Sequence, residues 1–264
     1  MDLDRIQLAI RPRTIFECLD VAFLFCGRHW LGVLLTSAVG VIPILVLDSW
    51  FKVSGSEDSD GYLFYLFVPL QIPWATSMLT LYLGQITFSQ KFSPRRAIRD
   101  FFRSIIPLIL FQVVLKGLCL AVVVLSPVAF VGMYYLNEVL LLERPGLARV
   151  WKRVNAMSSN AWGRLISLVV VDGLVLLAGV PLLATLIRAI SSLWEDRFQW
   201  SPGEFADGVY NPDWQLSIAF WLVIVFLTVF RFVTYLDGRI RREGWDVELK
   251  LKAQATLLAQ REGA

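Results

Sequence analysis

Residues 214–230 read WQLSIAFWLVIVFLTVF, and residues 231–242 continue RFVTYLDGRIRR. The first stretch runs 17 residues without a charge, and the second carries Arg231, Arg239, Arg241 and Arg242. An uncharged helix of about 20 residues crosses a ~30 Å hydrocarbon layer at 1.5 Å per residue. Arginines at the end of such a run mark the cytoplasmic exit of a membrane span. The same logic extends outward. LGVLLTSAVGVIPILVL at 31–47 is a second uncharged run. The chain of 264 residues is 56% apolar and only 18% charged, against about 25% charged in soluble domains. The opening MDLDRIQLAIRPR lacks the basic flank and apolar core of a cleavable signal, so the first span is expected to stay.

Hydrophobic blocks predict an all-α, polytopic membrane protein with six spans near 30–47, 62–86, 104–125, 128–142, 164–187 and 215–236. Residues 104–142 are expected to fold as two spans around Ser126-Pro127, because the residue before proline disfavours helix. One kinked helix with a re-entrant piece is the alternative. Charge alternates between the connections. Segments 89–103 and 143–164 each carry a net charge of +4, whereas 48–61 and 188–214 each carry −3. Lys and Arg concentrate on the cytoplasmic side. This pattern predicts an inner-membrane protein with both termini in the cytoplasm. Its parts are a segment 1–29 with an interfacial helix, a six-span domain 30–236, and a basic elbow and helix 237–264.

Three stretches read as amphipathic helices, each before a pair of spans. In the first, Thr14 and Glu17 have capping-box spacing, and Ile15, Leu19, Ala22 and Cys26 share a face. In the second, Ser93 can cap the helix, with Pro94 at its first position. In the third, Leu147, Val150, Trp151, Val154 and Met157 fall at helical spacing. Three units, each an interfacial helix followed by a hairpin, are therefore expected. In the tail, Asp246 with Lys250 and Glu248 with Lys252 stand at i,i+4.

Charges inside spans are functional candidates. They are Lys116, Asp172 and Glu138. Lys116 lies ~18 Å and Asp172 ~12 Å along their spans from the basic side, so a Lys116–Asp172 pair is feasible, with Glu138 as a further partner. Pro69 and Pro73 can break the second span beside Gln71, Thr76 and Ser77. Arg239, Arg241 and Arg242 are candidate contacts for lipid headgroups or a docked protein, with Gly244 as a corner. One histidine, His29, excludes His-rich metal sites. No G-x-S-x-G, P-loop or G-x-G-x-x-G occurs. Cys18, Cys26 and Cys119 imply no disulfide framework. No cofactor and no nucleic-acid partner is expected. The expected partners are membrane lipids and other membrane proteins.

Two stretches, MYYLNEVLLLERPGLARVWKRVNAMSSNAWGRLI and FVTYLDGRIRREGWDVELKLKAQA, resemble a group of uncharacterised bacterial multi-span membrane proteins. The last span in that group ends in a pattern matched here by Tyr235, Asp237, Arg239, Arg241, Glu243, Gly244, Glu248 and Leu249. More distantly, the layout is similar to the membrane domain of bacterial glycerophosphodiester phosphodiesterases, without their catalytic barrel. The resemblance implies a membrane module and no enzyme activity. The leading expectation is a non-enzymatic scaffold or subunit of a membrane assembly. The alternative is a transporter or lipid-handling protein using the intramembrane charges.

Overall fold

The computed structural model describes residues 13–54, 60–88, 92–121, 126–159, 161–198 and 214–243, which form helices and turns with no strand among them. In chain order the helices are α1 (Ile15–Arg28), α2 (Trp30–Ser54), α3 (Asp60–Phe88), α4 (Pro94–Leu108), α5 (Lys116–Ala121), α6 (Ser126–Gly132), α7 (Leu136–Glu138), α8 (Leu147–Ser158), α9 (Trp162–Phe198) and α10 (Trp214–Glu243). The stretch Ile109–Leu115 joins α4 to α5 in π-helical form, and Val139–Glu143 extends α7 in the same form.

Among the described residues, four helical stretches are long and apolar enough to cross a membrane: Trp30–Leu47, Pro94–Cys119, Trp162–Leu193 and Gln215–Arg242. They carry the expected first, third, fifth and sixth spans. Their outward faces are apolar. Leu177 is 76% exposed and Leu182 72% exposed on α9, and Leu35, Val39 and Ile42 are exposed on α2. So many large apolar side chains on outer helix faces suit lipid, since a soluble monomer rarely exposes wide apolar patches.

The expected second span is α3, whose 29 residues extend ~43 Å. It is less apolar and more central. Ala75, Ser77, Leu79, Thr80 and Leu83 are fully buried between neighbours. Pro69 and Pro73 do not break it, contrary to the sequence reading. Thr76 and Thr80 donate to carbonyls four residues back at 2.8 and 3.0 Å, and Ser77 does so to Pro73. These bonds satisfy the hydroxyls without leaving the helix. Pro73 has no N–H to give to the Pro69 carbonyl.

The expected fourth span is not one helix. Residues 126–143 divide into α6, a turn at 133–135, α7 and the π-helical stretch. Ser126 and Pro127 open α6 rather than forming the turn, and proline is well placed in a first helical turn. Residues 122–125, before α6, lie outside the described residues. The broken segment is buried where it turns: Met133, Tyr134, Tyr135 and Leu136 are all 7% exposed or less. It ends at Arg144, whose φ of 48° is left-handed. That conformation is costly for a side-chain-bearing residue. It is held by the Arg144–Asp100 ion pair at 2.8 Å and by Arg144 Nε donating to the Leu141 carbonyl at 3.1 Å.

The capping box at α1 forms as read. Thr14 N–H donates to Glu17 at 2.9 Å, and Glu17 N–H donates to the Thr14 hydroxyl at 3.3 Å. The face α1 buries is Cys18, Ala22 and Phe25, with Ile15, Leu19 and Cys26 at its margins. That face packs on α10. His29 is the joint between α1 and α2. On α8, Val150, Val154 and Met157 turn inward, while Leu147 and Trp151 stay about half exposed. The second unit differs from the first and third, because α4 runs on through 109–115 without a break between interfacial helix and span. Ser93 makes no side-chain cap. Its N–H donates to Gln85 at 2.9 Å.

The core lies where α3, α10 and the broken segment meet, around Leu79, Leu83, Leu140, Phe230, Phe232 and Tyr235. Beside it α2 approaches α3 backbone to backbone. A Cβ added at Gly40 would sit 1.9 Å from the Ala75 carbonyl oxygen. Close approach through small residues is how membrane helices gain packing. Gly40→Ala should therefore cost about 1–3 kcal/mol by forcing α2 away. Gly27→Ala, where nothing lies within 4 Å, should be neutral or stabilising. Thermal unfolding of the two variants in detergent compares them. Equal melting temperatures would refute the close crossing.

Candidate functional site

Five parts of the chain converge on a cavity of about 370 Å³ in the middle of the helix assembly. The α3 prolines, Pro69 and Pro73, form one wall. Gln112 of the π-helical stretch and Lys116 at the start of α5 form a second. The broken segment contributes Phe130, Tyr134 and Asn137; α9 contributes Asp172; α10 contributes Thr228 and Arg231. The π-helical turn at 109–115 buries Gln112 alone among its residues. Such insertions often accompany functional sites.

The cavity's fixed centre is an ion pair that the sequence reading missed. Asp172 Oδ2 accepts from Arg231 Nη2 at 3.2 Å and from the Tyr134 hydroxyl at 3.0 Å. The Arg231 guanidinium also lies over the Tyr134 ring, 4.9 Å from its centroid. The sequence reading assigned Arg231 to the exit of the last span. In the structure α10 continues to Glu243, so Arg231 stands twelve residues, ~18 Å, inside the helix end.

Lys116 and Asp172 do reach one cavity, but not as a pair. Asp172 takes Arg231 as its cation, and the Lys116 amine lies over the Phe130 ring at 5.4 Å from the centroid. Glu138 is 1% exposed and does not line the cavity. It follows Asn137, which does. Several polar atoms here have no hydrogen-bond partner: Asp172 Oδ1, Gln112 Oε1, Asn137 Oδ1 and Arg231 Nε on the cavity-lining residues, and Glu138 Oε2 behind them. Buried polar atoms are nearly always paired. Four of these unpaired atoms belong to residues that line this one small cavity.

A second, larger cleft of about 760 Å³ lies at the basic end of the bundle, lined by Arg153, Arg164, Arg241 and Arg242 with Tyr135 and Gly238. Its arginines already have acceptors. Fully buried Asp237 takes the Arg13 N–H at 2.7 Å, Arg241 Nε at 2.8 Å and the Arg164 guanidinium. Arg241 also donates to the Arg13 carbonyl at 2.5 Å. Arg242 donates to the carbonyls of Ala156 and Ser159. Glu143 takes the Tyr235 hydroxyl at 2.6 Å and Arg153, with Arg239 at 3.8 Å. Thus Arg239, Arg241 and Arg242, read from sequence as lipid or docking contacts, face partners within the chain. They clamp α10 to the N-terminal lead of α1 and to the end of α8. Gly244 and the tail pairs lie outside the described residues. The larger cleft is therefore the weaker candidate, and the smaller cavity with unpaired atoms is the stronger.

Cys18 reports on this clamp. It is fully buried on α1 beside Asp237, and burial first, then the Asp237 carboxylate, pushes its thiol up to about 11. Since the thiolate is the reactive form, N-ethylmaleimide at about pH 8 should label Cys18 at least tenfold more slowly in folded than in denatured protein. Arg164→Gln should loosen α1 and speed that labelling, as read by mass spectrometry. Fast labelling in the folded wild type would mean that α1 is not docked.

The fold and cavity define a helical protein with four helices able to cross a membrane among the described residues, and a charged, incompletely paired pocket within the helix assembly. No protein-family model matches the chain, and neither does a curated protein or a solved structure.

Proposed function

We infer that this chain is a multi-pass protein of a bacterial inner membrane that binds a small polar ligand between α3, α4–α5, α9 and α10, in transport or lipid handling. The observation that carries this reading is the set of unpaired polar atoms on the cavity residues, with Lys116 in no ion pair among the described residues. Polar groups inside a membrane domain are expensive and mark ligand or ion paths. A packing device would pair its polar atoms with one another.

The topology belongs to the same inference. Arg144, Arg153, Arg164, Arg239 and Arg241 gather at one end of the bundle through Asp100, Glu143 and Asp237. Placing that end in the cytoplasm satisfies the distribution of Lys and Arg and puts both termini there. In a six-span arrangement α3 is the second crossing, and the broken segment returns beside α4, with Arg144 meeting Asp100. The scaffold reading draws less support. Its expected contacts, Arg239, Arg241 and Arg242, hold the chain to itself, which leaves that role to the tail. No enzymatic step is proposed.

The test is native mass spectrometry of full-length protein from its own membrane, wild type beside Lys116→Met. We expect a small polar molecule or polar lipid bound near one to one in the wild type, and occupancy at least tenfold lower in the variant. A stoichiometric protein partner with no ligand dependent on Lys116 would return the scaffold reading.

A further inference from the structure

The unpaired atoms of the cavity also specify a ligand. The argument rests on the reading above and narrows it. The residues lining the cavity offer three acceptors without donors: Asp172 Oδ1, Gln112 Oε1 and Asn137 Oδ1. They offer one donor without an acceptor, Arg231 Nε, together with the Lys116 amine, which has no ion pair among the described residues. Gln112, Asn137 and Asp172 are 2%, 5% and 7% exposed, so bulk water does not serve them.

Each simple ligand class fails part of this wall. A plain anion meets Lys116 and Arg231 and leaves three acceptors facing nothing. A plain cation satisfies the acceptors but approaches two positive side chains. A quaternary ammonium has no N–H to give. It would need an aromatic face, yet Lys116 and Arg231 already cover Phe130 and Tyr134. The volume of about 370 Å³ equals about a dozen waters at ~30 Å³ each, so the bound group is small.

We propose that the cavity binds a zwitterion with a primary ammonium and an anionic oxygen group. The ammonium donates to Asp172 Oδ1, Gln112 Oε1 and Asn137 Oδ1, and the anionic oxygens accept from Lys116 and Arg231 Nε. That chemistry occurs in free amino-acid-like solutes and in the ethanolamine phosphate headgroup of lipids.

The experiment uses delipidated, full-length wild-type protein in detergent. Its melting temperature is measured against β-alanine, glycerophosphoethanolamine, glycerophosphocholine, acetate, phosphate and ethylamine, because a ligand of the native state raises it. We expect β-alanine or glycerophosphoethanolamine to stabilise. Glycerophosphocholine and the simple ions should bind at least tenfold more weakly. A second arm separates the sources. Protein in nanodiscs of phosphatidylethanolamine or phosphatidylcholine is released and its retained lipid counted by native mass spectrometry. Selective retention of phosphatidylethanolamine assigns the lipid, and solute stabilisation without retention assigns a free molecule. Lys116→Gln should lose the effect and Lys116→Arg should keep part of it. Equal stabilisation by glycerophosphocholine, acetate or phosphate overturns the zwitterion and leaves a polar ligand site standing. No response in either arm, with no molecule retained through Lys116, overturns both.

Discussion

Asp237→Ala should cost about 3 kcal/mol and strip the protein of most of its folded yield. Asp237 has no exposed surface and joins three distant parts of the chain. It accepts the Arg13 N–H ahead of α1, the Arg164 guanidinium of α9 and Arg241 of α10 itself. Removing one partner of a buried pair typically costs 3–5 kcal/mol, since the other charge stays desolvated. The low end applies because the Arg164 and Arg241 side chains are 22% and 41% exposed, so water screens them once freed. By comparison, losing the Thr14 cap should cost about 1 kcal/mol. Asp237→Asn should fall between, keeping the acceptor for Arg13 and losing the charge. Melting temperature and gel filtration in detergent report the outcome. A variant that melts within a few degrees of wild type would mean that the clamp is incidental to the fold.

The sequence made some of this legible for definite reasons. Long uncharged runs have one stable solution in lipid, a helix that pairs its own backbone, so α2, α9 and α10 fall where hydropathy puts them. The capping box is local chemistry three residues apart and forms as read. Lys116 and Asp172 are conspicuous because charge is rare in a span. Arg231 is not, since it stands where an uncharged run ends and looks like the flank of a span. Only the continuation of α10 to Glu243 places it inside. The π-helical stretches at 109–115 and 139–143 change hydrogen-bond register without changing residue type, so no pattern announces them. Pro69 and Pro73 suggest a break, but α3 runs on through both as one helix. The acceptors of Arg241 and Arg242, namely Asp237, the Arg13 carbonyl and the carbonyls of Ala156 and Ser159, come mostly from far along the chain. A motif read locally gives those arginines to lipid.

The pair Asp172–Arg231 should behave differently from Lys116, and the contrast separates structure from binding. Arg231→Met leaves the Asp172 carboxylate with only the Tyr134 hydroxyl, and Asp172→Leu leaves Arg231 without its acid. On insertion scales an unpaired charge at depth costs about 2.5–3.5 kcal/mol. The Arg231 side chain is 28% exposed, so some hydration through the cavity lowers this toward about 2 kcal/mol. The double variant carries neither charge. It should regain most of the stability, giving a coupling energy above about 1 kcal/mol. Lys116→Met should change stability by less than about 1 kcal/mol, because the desolvation of a buried ammonium that forms no ion pair among the described residues offsets much of its more distant attraction to Glu138. Ligand retention should then divide the variants. It should stay lost in the double variant despite the recovered fold, because Asp172 Oδ1 and Arg231 Nε are gone. It should also be lost in Lys116→Met despite an intact fold. If the double variant recovers both melting temperature and bound ligand, the pair only packs helices, and the site must be sought in the cleft between α8 and α10. If coupling is absent, Arg231 and Asp172 do not meet in the membrane, and the cavity they line does not exist.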